Sequence, residues 1–221
     1  MSDDEASPKK RKKLPRWAFI LLAVAVVAGL VAGISAIYTS TRKDAVAAPT
    51  PAPPAAASGA DGCIAGNIND APSLLDGARQ QPHTAQGAAA SAAGFLRFVW
   101  QYPSPSEQQL TAVISDMYVM APGEDAKALV KDALATSAPE NVQTGGFSVA
   151  DGRYMIEPTS TQNNAQVSIA YQVIVDGRSK GVSATTFTMA WSDGIWKVTD
   201  SEEINDEQPI LDNGVAFVGG C

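Results

Sequence analysis

VSIAYQVIV, from Val167 to Val175, sets Val167, Ile169, Tyr171, Val173 and Val175 in an unbroken two-residue repeat. Side chains along a strand point alternately to opposite faces, so this stretch predicts a β-strand with one buried face. The same alternation recurs upstream at Tyr154 and Ile156, and downstream at Phe187, Met189 and Trp191 and again at Trp196 and Val198. Between these runs lie Asp151-Gly152, Asp176-Gly177 and Asp193-Gly194. Asp-Gly is favoured where a tight hairpin needs positive φ, so three such turns predict an antiparallel meander of about four strands.

Working outward toward the N-terminus, the period changes from two to about 3.6. Thr84 is a good N-cap for a helix over residues 84–101 whose Ala88, Ala92, Phe95 and Val99 share one face. Ser106 with Gln109 makes a capping box for a second helix, with Leu110, Val113, Ile114 and Met117 as its buried stripe. A third, over residues 124–136, buries Ala126, Leu129, Val130, Ala133 and Leu134. Residues 63–81 are rich in turn formers and read as irregular, with room for one short helix. A short apolar piece, residues 215–218, returns to the domain before the chain ends. Helices first and hairpins second is the pattern of an α+β domain, about three helices packed on a curved antiparallel sheet of about four strands.

The first sixty residues do not belong to that domain. Residues 17–38 hold no charge for twenty-two positions, which at 1.5 Å per residue span about 33 Å and cover the hydrocarbon core of a bilayer. Trp17 and Tyr38 bracket the run as interfacial aromatics, and Lys9, Lys10, Arg11, Lys12, Lys13 and Arg16 precede it. The positive-inside rule therefore makes residues 1–16 a basic cytoplasmic tail, 17–38 a transmembrane helix and 39–60 a Pro/Ala-rich linker, with residues 61–221 the extracytoplasmic domain. A cleaved signal peptide is the competing reading, opposed by the length of the run and by the charged Arg42, Lys43 and Asp44 that follow it.

From residue 61 onward eight Lys or Arg stand against nineteen Asp or Glu, a net charge of −11. Nucleic acid is excluded as an electrostatic partner, because neutralising phosphates takes clustered cations. Cys63 and Cys221 stand at the two ends of the domain with 157 residues between them, a spacing that fits no zinc site. Outside the membrane such a pair reads as a disulfide; unpaired thiols or an intermolecular bridge are the alternatives, since sequence gives no Cα approach.

Two segments carry a resemblance. PHTAQGAAASAAGFLRF, residues 82–98, is similar to the first helix of exported actinobacterial single-pass membrane proteins. DGIWKVTD, residues 193–200, resembles the last-strand signature of NTF2-like (cystatin-like cone) domains. With the anchor and proline tether, the chain resembles the VirB8 and TcpC type of assembly subunit in bacterial conjugation and secretion machines. The likeness covers the helical start and the final hairpins of the domain. It implies a cone-shaped fold at the cell membrane and, as partners, other envelope proteins or further copies of the chain. In relatives of that fold the cone serves small-molecule binding or isomerase and dehydratase chemistry, which makes Tyr154, Tyr171, Trp191 and Trp196 candidate pocket-lining residues.

Catalytic groups are scarce. The single histidine, His83, precedes the N-cap Thr84 and is expected to pack at the helix entrance. No nucleophile elbow, phosphate-binding glycine loop or two-histidine metal motif is present. Glu124 and Asp125 complement a helix dipole, and Glu202, Glu203, Asp206 and Glu207 match no calcium loop and read as solvated charge. The expectation is a non-enzymatic interaction domain that takes no metal or cofactor.

Overall fold

A computed structural model of the chain describes residues 59–66, 70–136 and 142–219. The basic tail, the transmembrane span, nearly all of the linker and Cys221 lie outside the described residues. Within them, no helix is long and apolar enough to cross a membrane.

The domain is α+β. Four helices come first: α1 (Ala71–Arg79), α2 (Ala85–Val99), α3 (Glu107–Met117) and α4 (Ala126–Thr136). Four long strands follow, β1 (Gly145–Ile156), β2 (Asn164–Val175), β3 (Arg178–Ser192) and β4 (Ile195–Ile204), and then α5 (Gln208–Asn213) and β5 (Val215–Ala216). The sheet is antiparallel in the order β4-β3-β2-β1-β5.

The caps act as their sequences require. Thr84 Oγ1 accepts from the Gly87 N–H at 3.2 Å and Ser106 Oγ from the Gln109 N–H at 3.3 Å, each satisfying an orphan donor of the first turn. The helix expected only as a possibility before residue 81 is α1, capped by the Asp70 carboxylate on the Ser73 N–H at 3.0 Å. Its Ala71, Leu74, Leu75 and Ala78 are buried, so few apolar residues suffice when all fall on one face.

Two of the three Asp-Gly pairs are hairpin turns. Asp176 and Gly177 take φ of 48° and 71°, and Asp193 and Gly194 take 57° and 78°, so both central residues of each turn are left-handed. Asp151-Gly152 is a correction to the sequence expectation. It lies inside β1, where the register with β2 shifts between Ser148 and Arg153. Glycine is needed there for space rather than for φ: a Cβ on Gly152 would stand 2.6 Å from the Ala170 carbonyl oxygen. The pair thus marks a bulge that bends the strand.

A second correction concerns α2. One buried face was expected, yet every residue from Gly87 to Leu96 is buried, as is Phe98. The sheet lies beneath this helix while α1 and α3 flank it. Its small side chains allow that enclosure; a Cβ on Gly94 would already sit 3.1 Å from Leu74 Cδ1. By contrast α4 packs only on α3, so of its expected buried residues Val130 alone is fully covered while Ala126, Leu129, Ala133 and Leu134 are half-buried. On the opposite face of the sheet α5 sets Ile210 against Ala170 and Ala184. The helix and strand counts exceed the expectation because α1, α5 and β5 are short, and short elements leave weak periodicity.

Ser91, in the middle of α2, is fully buried and its hydroxyl has no hydrogen-bond partner. An unsatisfied buried hydroxyl is costly, and alanine is the better helix former. Ser91→Ala is therefore expected to stabilise the domain by about 1 kcal/mol, read as a raised midpoint in urea unfolding. A lowered midpoint would show that the hydroxyl is satisfied in solution.

Candidate functional site

The four aromatics proposed to line a common pocket occupy three places. Trp196 is fully buried and its Nε1–H donates to the Pro82 carbonyl at 3.1 Å, tying β4 to the residues that lead into α2. Trp191 meets it edge to face, with centroids 5.5 Å apart. His83 stacks on Trp191 at 4.3 Å with its ring within 15° of parallel, and its Nε2 lies 3.0 Å from Asn163 Oδ1. The histidine thus packs at the helix entrance, as its position before Thr84 suggests.

Tyr171 and Tyr154 lie elsewhere. Tyr171 packs against Phe147 at 4.5 Å and shares a 3.0 Å hydrogen bond with Thr185 Oγ1. Burial is the main cause that raises the pKa of its hydroxyl. Tyr154 packs against Phe217 at 4.9 Å, and its hydroxyl accepts from the Ala60 N–H at 2.9 Å. Phe147, Phe217 and Asn163 were not singled out from sequence. The apolar run 215–218 is the one signal that pointed toward Phe217.

The two best-formed cavities hold about 10 and 20 Å³. Such volumes accommodate about one water molecule, and neither is lined by any of the four aromatics. The smaller lies between α1 and α2 beside Ile64 and Arg97. The larger is a crevice where α2, α3 and the sheet meet, lined by Phe95, Leu96, Val99, Trp100, Ile114, Tyr118, Phe187 and Ser201. Among the described residues no three His, Cys, Asp or Glu side chains converge to hold a metal.

Two polar side chains, Arg97 and Asp176, hold backbone. Arg97 donates to the carbonyls of Gly62 at 3.2 Å and Gly66 at 3.3 Å, and its half-burial lowers its pKa against the pull of Asp61. The Asp176 carboxylate accepts from the N–H groups of Thr144 at 2.9 Å and Gln143 at 3.0 Å, which lowers its pKa below the ordinary value. A depressed folded pKa adds stability that is complete above the unfolded pKa and fades as pH falls through the folded one. Asp176→Asn keeps a residue that tolerates the left-handed turn but weakens the acceptor. It is expected to unfold more easily than wild type at pH 7, with the difference closing below about pH 4. Parallel thermal melts across that range check it, and a constant gap would sink the assignment.

No curated protein and no solved structure matches the chain. Residues 82–213 match the model of a family described as a domain of unknown function, DUF8175. The matched stretch begins at the proline that receives the Trp196 hydrogen bond and ends with α5, enclosing α2 to α5 and β1 to β4. The chain belongs to this family.

Proposed function

We propose that this chain is a membrane-tethered extracytoplasmic interaction domain, a component or accessory of a cell-envelope secretion or conjugation apparatus that works through its surface. The observation that carries the reading is the filled interior: the space between helices and sheet is taken up by Trp196, Phe187, Met189, Leu96 and their neighbours. The alternative of a small-molecule or enzymatic cone domain requires a roomy cavity with polar groups at its base. Crevices of 10 and 20 Å³ give it no support. The β1–β2, β2–β3 and β3–β4 ladders each carry a register shift, and bulges of this kind let a sheet curve, which is compatible with the NTF2-like cone as the finer description of the fold.

The anchor reading stands on the uncharged span of residues 17–38 and on its flanking cations. A disulfide between Cys63 and Cys221 completes the proposal by clasping the two ends of the domain. Crosslinking in membranes with the span intact, followed by affinity capture of the chain, is expected to recover other envelope proteins. Recovery of none would overturn the interaction role. Protease added to cells stripped of wall is expected to cut within the linker and release the domain, whereas protection reverses the orientation.

A further inference from the structure

We propose that the outer edge of β4, from Ser201 to Ile204, docks a basic, extended segment of a partner polypeptide, which adds as a strand and seats one small apolar side chain in the neighbouring crevice. The inference rests on the interaction role above and assigns it a surface.

The two edges of the sheet are treated differently. On the β1 side, Tyr102 bridges Gly145 near one end and β5 pairs with Arg153 and Tyr154 near the other, with the chain preceding Cys63 running alongside residues 216–218, so that edge is covered near both ends. On the β4 side, the segment after α3 reaches only Val198: Tyr118 bridges it in parallel, and the Val119 N–H donates to its carbonyl at 2.8 Å. Beyond that point no strand lies outside β4 among the described residues. An open edge offers peptide groups to another strand. The Ser201 N–H donates to the Asp200 carboxylate at 3.0 Å, an acceptor that an incoming carbonyl can replace.

Ser201 also connects the edge to the crevice. It pairs with Phe187, and both line the 20 Å³ space together with Trp100, Ile114 and Tyr118. Because side chains alternate along a strand, one added beside Ser201 would present every second side chain to this same side of the sheet. Strand addition of this kind takes affinity from main-chain hydrogen bonds and specificity from a pocket for alternate side chains. A volume this small admits one methyl-sized group, the side chain of alanine or a single methyl of valine.

Charge decides the occupant. Glu202 and Glu203 lie on the strand, both exposed, with Asp200 before them and Asp206, Glu207 and Asp212 after, and no Lys or Arg follows Lys197. A second copy pairing through the same edge would set these glutamates against their own counterparts, and like charges facing across strands are destabilising. A segment that alternates Lys or Arg with small apolar residues satisfies both the edge and the crevice.

The full chain in detergent micelles is titrated with a fluorescent ten-residue peptide alternating lysine and valine, followed by anisotropy. Saturable binding is expected, at least tenfold weaker for the Glu202→Lys, Glu203→Lys double variant, whose thermal unfolding should match wild type because both positions are exposed. A second peptide, identical but N-methylated at alternate amides, keeps the charge and cannot pair; it is expected not to bind. Equal binding of the two peptides, or unchanged affinity in the double variant, overturns the inference, as does a dimer of the chain that the double variant abolishes. In the membrane crosslinking experiment, recovery of the same proteins by wild type and double variant refutes this edge while leaving the interaction role standing. Failure of wild type to recover any protein removes the role itself.

Discussion

Trp196→Ala is expected to lower the stability of the domain by about 3–5 kcal/mol, the usual range for emptying a buried aromatic site. The indole is 0 % exposed, and it stands where β4, the residues leading into α2 and the end of β3 meet. Trp191 packs on it from one side and His83 lies 5.9 Å away edge to face, so its removal takes the support from under both rings. The Pro82 carbonyl would not be orphaned, since the Thr84 N–H also donates to it at 2.8 Å. The loss is therefore a cavity effect more than a hydrogen-bond effect. Trp196→Phe separates the two, because it keeps an aromatic ring and deletes the N–H at a cost of roughly 1 kcal/mol from the hydrogen bond plus a smaller void. Urea unfolding of the full chain in detergent, followed by circular dichroism, measures both variants. An alanine variant as stable as wild type would mean that this junction does not hold the fold together.

How much of this was legible beforehand follows from the physics of each signal. The two-residue repeat of residues 167–175 identified β2 because both its neighbours leave one face against α2, and the capping residues Thr84 and Ser106 located helix starts because they answer a local need for acceptors. Asp151-Gly152 misled for the opposite reason. Glycine serves close approach as well as positive φ, and only the partner strand tells the two apart. The all-round burial of α2 was hidden because alanine is equally at home on a surface and in a core, so its pattern carries little contrast. The candidate pocket dispersed for a related reason. Tyr154, Tyr171, Trp191 and Trp196 share a face of the sheet by parity, but parity fixes the face and not the position along or across it: Tyr154 meets Ala60, Tyr171 meets Thr185, and only Trp191 and Trp196 come together, beside His83 and Pro82. The β4 edge was invisible as a site because its meaning depends on what lies beside it.

Reducing the proposed Cys63–Cys221 bond, or replacing Cys63 by serine, is expected to destabilise the domain by up to about 5 kcal/mol, the chain-entropy value for a loop of this length. The described residues bring the two ends together almost to the bond. The Val218 N–H donates to the Ala60 carbonyl at 3.0 Å, the Gly62 N–H donates to the Val218 carbonyl at 3.3 Å, and Asp61 bridges Val218 in parallel. A Cβ placed on Gly219 would stand 3.6 Å from Cys63 Sγ, so the described chain passes beside Cys63 two positions before Cys221. Among the described residues there is no free cysteine. The magnitude depends on whether the clasped segment can peel away alone. Both cysteines lie outside the matched residues 82–213, which would allow peeling, but Ala60 and Ile64 are buried in the main core and Arg97 of α2 holds the Gly62 and Gly66 carbonyls. These contacts couple the clasp to the core, so most of the loop entropy should appear in global unfolding. Alkylation of the unreduced protein should leave both thiols unmodified, and matched urea curves with and without reductant give the loss. Two reactive thiols in the unreduced protein, or identical curves, would remove the clasp from the fold.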